Sequence, residues 1–494
     1  MTSFPESPLY AHLFCNGWAY LFRSAMSIGD RTLAAYSYTN RTNYLSTLDY
    51  GNGDKVQYTY DNHGRVTAET YEDGDKVTYR YDNNGAVATV TDSATGITTT
   101  YYYDFTDRLM KYVESDGTNT HSVSYAYDTV NNLTSLVEVI NGTAHTTSYV
   151  YNKDNQVTSV TNGTTATTFG YDSFGRVSSR TVKNGSSNIF TASYAYRNPT
   201  GSTTTGQVSG LTIDGSGFDV AYSYTYDDNG NILSVSDGTN TTSYVYDTAG
   251  QLLTEIINGT RYSYTYDNAG NILTAEKGSQ THTYTYGDED WGDLLTAYDG
   301  ESITYDGIGN PTSYYNGTRW TFGWEHGREL VSASNGTTTW NYTYNSDGLR
   351  TQRTNGTNTY KYLYNGSTLV QMTVGGNTLY FTDDTVTFNN TVYYYVKNLQ
   401  GDVVAILNSG GTAVVQYTYD AWGNVLSVTG SMADTLGQMN PLRYRGYVYD
   451  TETGLYYLQS RYYDPKVGWF INADAFAATG QGLVGNNMIE ILIC

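Results

Sequence analysis

Tyr264-Thr265-Tyr266-Asp267-Asn268-Ala269-Gly270-Asn271-Ile272-Leu273 reads as a strand, a tight turn and a returning strand. Tyr264 and Tyr266 stand two apart, so on extended backbone both rings leave one face and Thr265 leaves the other. Asp267 opens the turn, because its short carboxylate can accept the amide hydrogen two residues on. Gly270 supplies a position free to take positive φ. Ile272 and Leu273 resume the apolar pattern on the way back.

The unit recurs. Tyr58-Thr59-Tyr60-Asp61, Tyr79-Arg80-Tyr81-Asp82, Tyr125-Ala126-Tyr127-Asp128, Tyr224-Thr225-Tyr226-Asp227 and Tyr244-Val245-Tyr246-Asp247 open further copies. Others keep the spacing after losing the Asp, as at Tyr149-Val150-Tyr151-Asn152, Tyr284-Thr285-Tyr286-Gly287 and Tyr342-Thr343-Tyr344-Asn345. Successive starts lie roughly 20 residues apart, a period that marks repeat architecture. Between them falls a second turn, often Asn-Gly: Asn141-Gly142, Asn162-Gly163, Asn258-Gly259, Asn316-Gly317, Asn335-Gly336 and Asn355-Gly356. Asn-Gly suits a two-residue type I′ hairpin. With a following Thr it is also a glycosylation sequon, although the turn needs the pair with or without a sugar. Each repeat is therefore two antiparallel strands with two turns. The stretch from Arg197 to Gly217, rich in Gly, Ser and Thr, departs from the pattern and reads as a wider loop at a rim.

Composition agrees. The 494 residues hold 54 Tyr and 51 Gly against 13 Phe and 6 Pro, which favours many short strands over helices. A single core stops growing near ~250–300 residues, yet nothing resembles a linker. About sixteen repeats of two strands give an all-β, spiralling antiparallel β-sheet of roughly thirty strands, beyond the ~10 at which open sheets curl or split. The expected result is a hollow shell or partial shell. One face would carry Tyr, Val, Ile and Leu and the other Thr, Ser and Asn.

Several function classes lose support. A net charge of −22 with no Lys/Arg cluster argues against a nucleic-acid partner. Cys15 and Cys494 sit at opposite ends, so no disulfide framework is readable. His63, His121 and His282 lack metal spacing, and His12 and Cys15 have no second ligand pair, so no metal or other cofactor is expected. Asn345-Ser346-Asp347-Gly348 has a fragment of an EF-hand loop without its closing Glu. Leu9 to Phe22 is too short and too interrupted for a membrane span, and no signal peptide is visible. No nucleophile elbow or phosphate loop appears.

The Tyr-Asp-x-x-Gly-Asn/Arg unit at Tyr60–Arg65, Tyr171–Arg176, Tyr226–Asn231 and Tyr266–Asn271 resembles the YD repeat of the Rhs (rearrangement hotspot) family. The later runs Tyr393–Asp402, Tyr417–Asn424, Arg443–Leu458 and Arg461–Phe470 are similar to that family's repeat-associated core. The resemblance implies residues 1–30 as a non-repeat segment, 31–375 as the repeat wall, 376–476 as the core and 477–494 as a tail without a toxin domain. It implies a structural shell module of a polymorphic toxin or cell-surface protein, extracellular or on the bacterial surface, whose full-length relatives enclose a C-terminal polypeptide payload. In such relatives an aspartyl autoprotease of the core frees the payload. Asp464 and Asp474 are the candidate catalytic remnants. The second acidic motif of the family is missing after Asp474, so the expectation is no enzyme activity. The alternative is a glycan-binding or adhesion module, with exposed Trp320, Trp324 and Trp340 stacking on sugar rings.

Overall fold

A computed structural model describes residues 24–198 and 204–473. Asp474, and Pro199-Thr200-Gly201 of the Gly/Ser/Thr-rich run, lie outside the described residues. The described residues are nearly all β: 26 strands in one sheet, 14 in a second and four in a third. Every strand of the first two sheets pairs antiparallel with its neighbour in sequence, which is the meander that the two turns per repeat require. The total of 44 exceeds the thirty expected, because the core block and the less regular stretches near 25–50 and 368–397 also form strands. Ala25–Ile28, inside the stretch expected to lie outside the repeats, already pairs with Arg31–Tyr38. The Gly/Ser/Thr-rich run is also corrected. Its second half is the strand Val208–Gly215, which buries Val208, Leu211 and Ile213. Alternate apolar residues make a strand even with no Tyr to announce it.

The quoted repeat folds as its chemistry dictates. Asp267 Oδ1 accepts the amides of Ala269 (2.8 Å) and Asn271 (2.9 Å), and Oδ2 accepts the Asn271 side-chain amide (2.8 Å). Gly270 adopts φ 90°. A bulge falls between Thr265 and Tyr266, as it does before the second Tyr of most copies. The bulge carries that tyrosine to a recurring strut: its hydroxyl donates to the first carbonyl of the preceding returning strand. Tyr60 reaches Leu45 (2.7 Å), Tyr81 Val66 (2.7 Å), Tyr171 Val157 (2.6 Å), Tyr266 Leu252 (2.7 Å) and Tyr419 Val403 (2.8 Å). The first tyrosine stays on the same face, with ring centroids of Tyr244 and Tyr246 6.5 Å apart.

The meander winds. Arg31 pairs with Asp288, 257 residues on, Asn52 with Asp306 (254 on) and Tyr112 with Asn365 (253 on). The separation then falls to 242 for Glu138 and Tyr380, 217 for Thr167 and Asp384, 194 for Ser216 and Gly410, and 166 for Glu255 and Ala421. The first coil therefore carries a second, progressively shorter coil on one rim, and the spiral tapers. Backbones meet closely at the seam: a Cβ on Gly307 would stand 2.0 Å from the Gly51 carbonyl oxygen, so the site demands glycine. Apolar contacts also cross the seam where Ile189, Phe190 and Leu211 pack with Tyr394, Val396 and Leu407.

Burial divides the molecule. Strands Leu45–Tyr50 and Val157–Asn162 of the first coil are half-buried at every residue, on both faces. In contrast, Leu455–Tyr457 and Tyr462–Asp464 of the third sheet are buried throughout. This small sheet, Val448–Phe470, follows a helical turn at Leu436–Met439 and packs into the narrow end of the spiral; with the 3-10 turn Tyr444–Gly446 before it, it forms a cap. Among the described residues, no helix is long and apolar enough to cross a membrane.

Candidate functional site

The narrow end is where polar and charged groups converge. Strand Arg350–Thr354 brings Arg350 under the cap sheet, fully buried. Its guanidinium grips Asp450 through two bonds, Nη1 to Oδ2 at 2.5 Å and Nη2 to Oδ1 at 2.8 Å. The rings of Tyr457, Tyr362, Tyr342 and Tyr462 surround it at 4.4–5.8 Å. Burial works against the charge, but Asp450 and the ring hydroxyls outweigh it and raise the Arg350 pKa well above its ordinary value. Arg353 adds a second contact to Asp450 at 3.1 Å and a salt bridge to Glu452. Arg350 and Asp450 are 100 residues apart, and only the folded cap joins them.

Cap tyrosines read backbone carbonyls of one wall turn. Tyr444 donates to Ala421, Tyr463 to Trp422 and Tyr456 to Gly423, each at 2.9 Å. Other wall strands contribute from around the coil: Tyr284 donates to the Val467 carbonyl (2.7 Å) and Lys277 Nζ to that of Lys466 (2.9 Å). The cap thus ties together segments that lie on different sides of the spiral.

Of the two nominated carboxylates, the structure places only Asp464. It is fully buried and accepts four hydrogen bonds, from Asn316 Nδ2 (2.7 Å), the Lys466 amide (2.9 Å), the Tyr314 hydroxyl (3.2 Å) and the Val467 amide (3.3 Å). Burial pushes its pKa up, and the Asn316 amide and the two backbone amides pull it back. Its oxygens are engaged in shaping the Asp-Pro turn and fastening it to strand Pro311–Tyr315. The chain leaves the described region at Ala473, whose carbonyl accepts from Arg328 (3.2 Å) beside Trp291 and Leu294.

The repeat pattern gave no hint of a second acidic neighbourhood. Glu255, on a first-coil strand, is buried, and its Oε2 accepts the amide of Ala421 at 3.0 Å. Burial, reinforced by Asp420, pushes its pKa up to about 8, while Lys277 nearby is pushed down by burial. Position 255 is a glutamate that follows Thr254 in a run otherwise of Leu and Ile, Leu252–Ile257, and a charge in that setting is the sequence signal that could have marked it.

Histidine also proves less scattered than its spacing suggests. His326 stands at the seam with Nδ1 3.0 Å from Glu329 and Nε2 3.0 Å from Asp73 of the coil below, its ring stacked on Tyr71 at 3.9 Å. Burial opposes its charge, but the hydrogen bonds to Glu329 and Asp73 carry its pKa up to about 9. Asp73, Asp75 and His326 bring three possible ligand atoms within 4.8 Å, but both imidazole nitrogens are already taken up by carboxylates. His121 is clamped the same way by Glu114 and Glu138, each 2.8 Å away.

The tryptophans expected to face sugars do not. Trp320 and Trp340 are buried in the main apolar cluster, and Trp324 packs against it with its indole N–H donating to the Pro311 carbonyl at 2.7 Å. An aromatic residue at an inward strand position is core by default.

Comparison with known proteins places this architecture. A family model described as Teneurin YD-shell matches residues 385–482, and one described as RHS Repeat matches 43–76, 60–96, 151–187 and 226–259. The tRNA3(Ser)-specific nuclease WapA of Bacillus spizizenii is 34% identical over 206 residues, 36% of this chain and 8% of that protein. The double-stranded DNA deaminase toxin A of Burkholderia cenocepacia is 32% identical over 93 residues, 18% of this chain and 6% of that one. The chain thus spans under a tenth of either relative. The solved structure of TcdB2-TccC3-Cdc42 shares the fold at a TM-score of 0.55, with 16% identity, over 94% of this chain and 30% of that one. The tyrosine-strutted hairpins, the core block and these matches together mark the repeats and the core of this chain as those of the Rhs, or YD-repeat, family.

Proposed function

We propose that this chain is the capped end of a container wall that surrounds a polypeptide outside the cell that makes it, and that it carries no catalytic chemistry of its own. The observation that carries this reading is a wall one sheet thick, half-exposed on both faces, that completes a full turn and is stopped at its narrow end by the cap. One turn holds the second to the twenty-fourth strand, 23 in all. At about 4.8 Å per strand that is a ring roughly 35 Å across between backbones, leaving about 25 Å within the side chains, wide enough for an unfolded chain. The relatives support the division of labour. One is named a tRNA nuclease and another a DNA deaminase, yet each shares a stretch of sequence with this one chain of hairpin wall. Asp464, with four donors on its two oxygens, serves here as a fastening for the cap.

The test appends a reporter peptide with several trypsin sites to Cys494 and compares its digestion with that of the free peptide. Retarded digestion that becomes fast once the cap is loosened by Asp450→Asn supports enclosure. Equal digestion rates refute it. In parallel, intact-mass measurement after long incubation checks for self-cleavage. A specific cut after Asp474 that Asp464→Asn abolishes would show that the core is an enzyme after all.

A further inference from the structure

Two histidines are held between carboxylates, and the two clamps differ in what they can take up. The clamp at His121 is sealed, with the histidine 3% and Glu138 1% exposed. At His326 the side chain is 18% exposed and that of Asp73 34%, so ions in solution can reach them. A third carboxylate also joins there: Asp73, Asp75 and His326 are the group, among the described residues, that brings three ligand atoms within 4.8 Å of one another.

Both ring nitrogens of His326 are engaged, but not alike. Glu329 lies three residues on in the same hairpin and holds Nδ1 at 3.0 Å, which aims Nε2 at the first coil. Asp73 belongs to that coil, in the turn between strands Val66–Tyr71 and Lys76–Tyr81. Its Oδ1 accepts the amide of Asp75 at 2.9 Å, and its Oδ2 stands 3.0 Å from Nε2. A histidine that ligates a metal through one nitrogen typically donates the other N–H to a carboxylate, the part Glu329 plays. The separation of Nε2 and Oδ2 is close to the ~3.3 Å between two ligands of a tetrahedral zinc at ~2.0 Å.

Two further observations point the same way. His326 and Gly327 take φ 48° and 82°, the conformation of Asn141-Gly142 (46° and 85°) and Asn258-Gly259 (51° and 83°). Asn-Gly is the pair this turn favours, so the turn itself does not ask for a histidine. Asp75, His326 and Glu329 also share the wall of a small cavity with Tyr71, Asp92 and Lys76. Three carboxylates and an imidazole against one lysine make it a place that favours a cation.

We propose that Asp73, Asp75 and His326 bind a zinc-class divalent ion across the seam, with Glu329 orienting the ring and water from the cavity as the remaining ligand. The ion takes the lone pair of Nε2, and the proton held between Nε2 and Asp73 leaves to solvent; nothing is oxidised or reduced. One imidazole with carboxylates selects zinc and its first-row neighbours over Mg2+ and Ca2+, which take oxygen alone. The ion would staple the second coil to the first.

The test uses the whole chain without an affinity tag, with Cys15→Ser and Cys494→Ser to remove thiol ligands. After treatment with chelator and dialysis it is titrated with zinc chloride by calorimetry. One ion per chain is expected, with a rise in melting temperature that Mg2+ at the same concentration does not give. Asp75→Asn, which leaves both hydrogen bonds of the ring in place, should weaken zinc binding by about tenfold or more, and His326→Gln should abolish it. Hydrogen exchange should slow on zinc addition at both 72–76 and 325–329, because the ion joins two coils. If the imidazole serves only as a salt bridge, the parent chain shows no zinc-dependent shift, and the proposal fails. It fails equally if both variants bind zinc as tightly as the parent, which would place the ion on other carboxylates, or if only one of the two turns is protected.

Discussion

Tyr266 and Asp267 show how much one repeat asks of two side chains. The hydroxyl of Tyr266 is a strut to the Leu252 carbonyl, and the carboxylate of Asp267 takes three donors within its own turn. Tyr266→Phe should cost about 1 kcal/mol, the net worth of one hydrogen bond. Asp267→Ala should cost more, about 2 kcal/mol, because two backbone amides lose their acceptor together. Urea unfolding followed by tryptophan fluorescence would rank the two, and a larger loss from the tyrosine would contradict the assignment. The carboxylate's part was legible in the sequence, since an Asp two residues before an amide and three before a Gly is a local matter. The strut was not, because its acceptor is a backbone carbonyl 14 residues back, and a carbonyl leaves no trace in residue identity.

Among the elements, the cap sheet depends most on distant partners. Asp450→Asn would leave Arg350 buried without its countercharge, and breaking a buried pair in this way typically costs about 3–5 kcal/mol. The expected outcome is a lowered melting temperature and earlier proteolysis between Val425 and Phe470, detected by mass spectrometry, with hairpins of the first coil protected as before. Trp340→Ala should destabilise by a similar amount, about 3–5 kcal/mol, by leaving a hole in the main cluster. Glycan binding would not explain such a loss. Strands were readable wherever Tyr-x-Tyr-Asp recurs, because a period of two and a turn residue are both short-range signals. Val208–Gly215 escaped notice because it carries Val, Leu and Ile where its neighbours carry Tyr. Likewise, Trp320 and Trp340 read equally well as sugar platforms or core, since a strand shows its two faces but not which one another layer covers.

For the molecule as a whole, the seam between coils sets the response to pH and to substitution. His326, held between Glu329 and Asp73 with Asp75, Glu325 and Arg328 nearby, has its pKa raised to about 9 from an ordinary value near 6.5. A raised histidine contributes stability that is fully present below the unfolded value and is lost as pH rises through the folded one. Thermal stability should therefore decline between about pH 6.5 and 9, and His326→Gln should make that decline shallower, leaving the share of His121, whose pKa its two glutamates likewise carry up to about 9 against burial. An unchanged slope in the variant would assign the effect elsewhere. Gly307→Ala, which would drive a methyl to 2.0 Å from the Gly51 carbonyl oxygen, should part the coils locally and speed hydrogen exchange near residues 50–54 and 305–309. None of these pairings was visible beforehand, because partners some 250 residues apart share no local pattern.

The shrinking separation between stacked neighbours, from 257 residues to 166, makes the wall behave like a geared track. Splicing one extra hairpin into the first coil would move every later tooth past its notch: His326 would no longer meet Asp73, and the glycine at 307 would no longer face Gly51. The same hairpin added ahead of residue 24 would leave every pairing between the described residues in place. Lineages of such walls should accordingly vary ahead of the first notch, or change by whole circuits, and keep an unvarying tally of hairpins between the first notch and the cap.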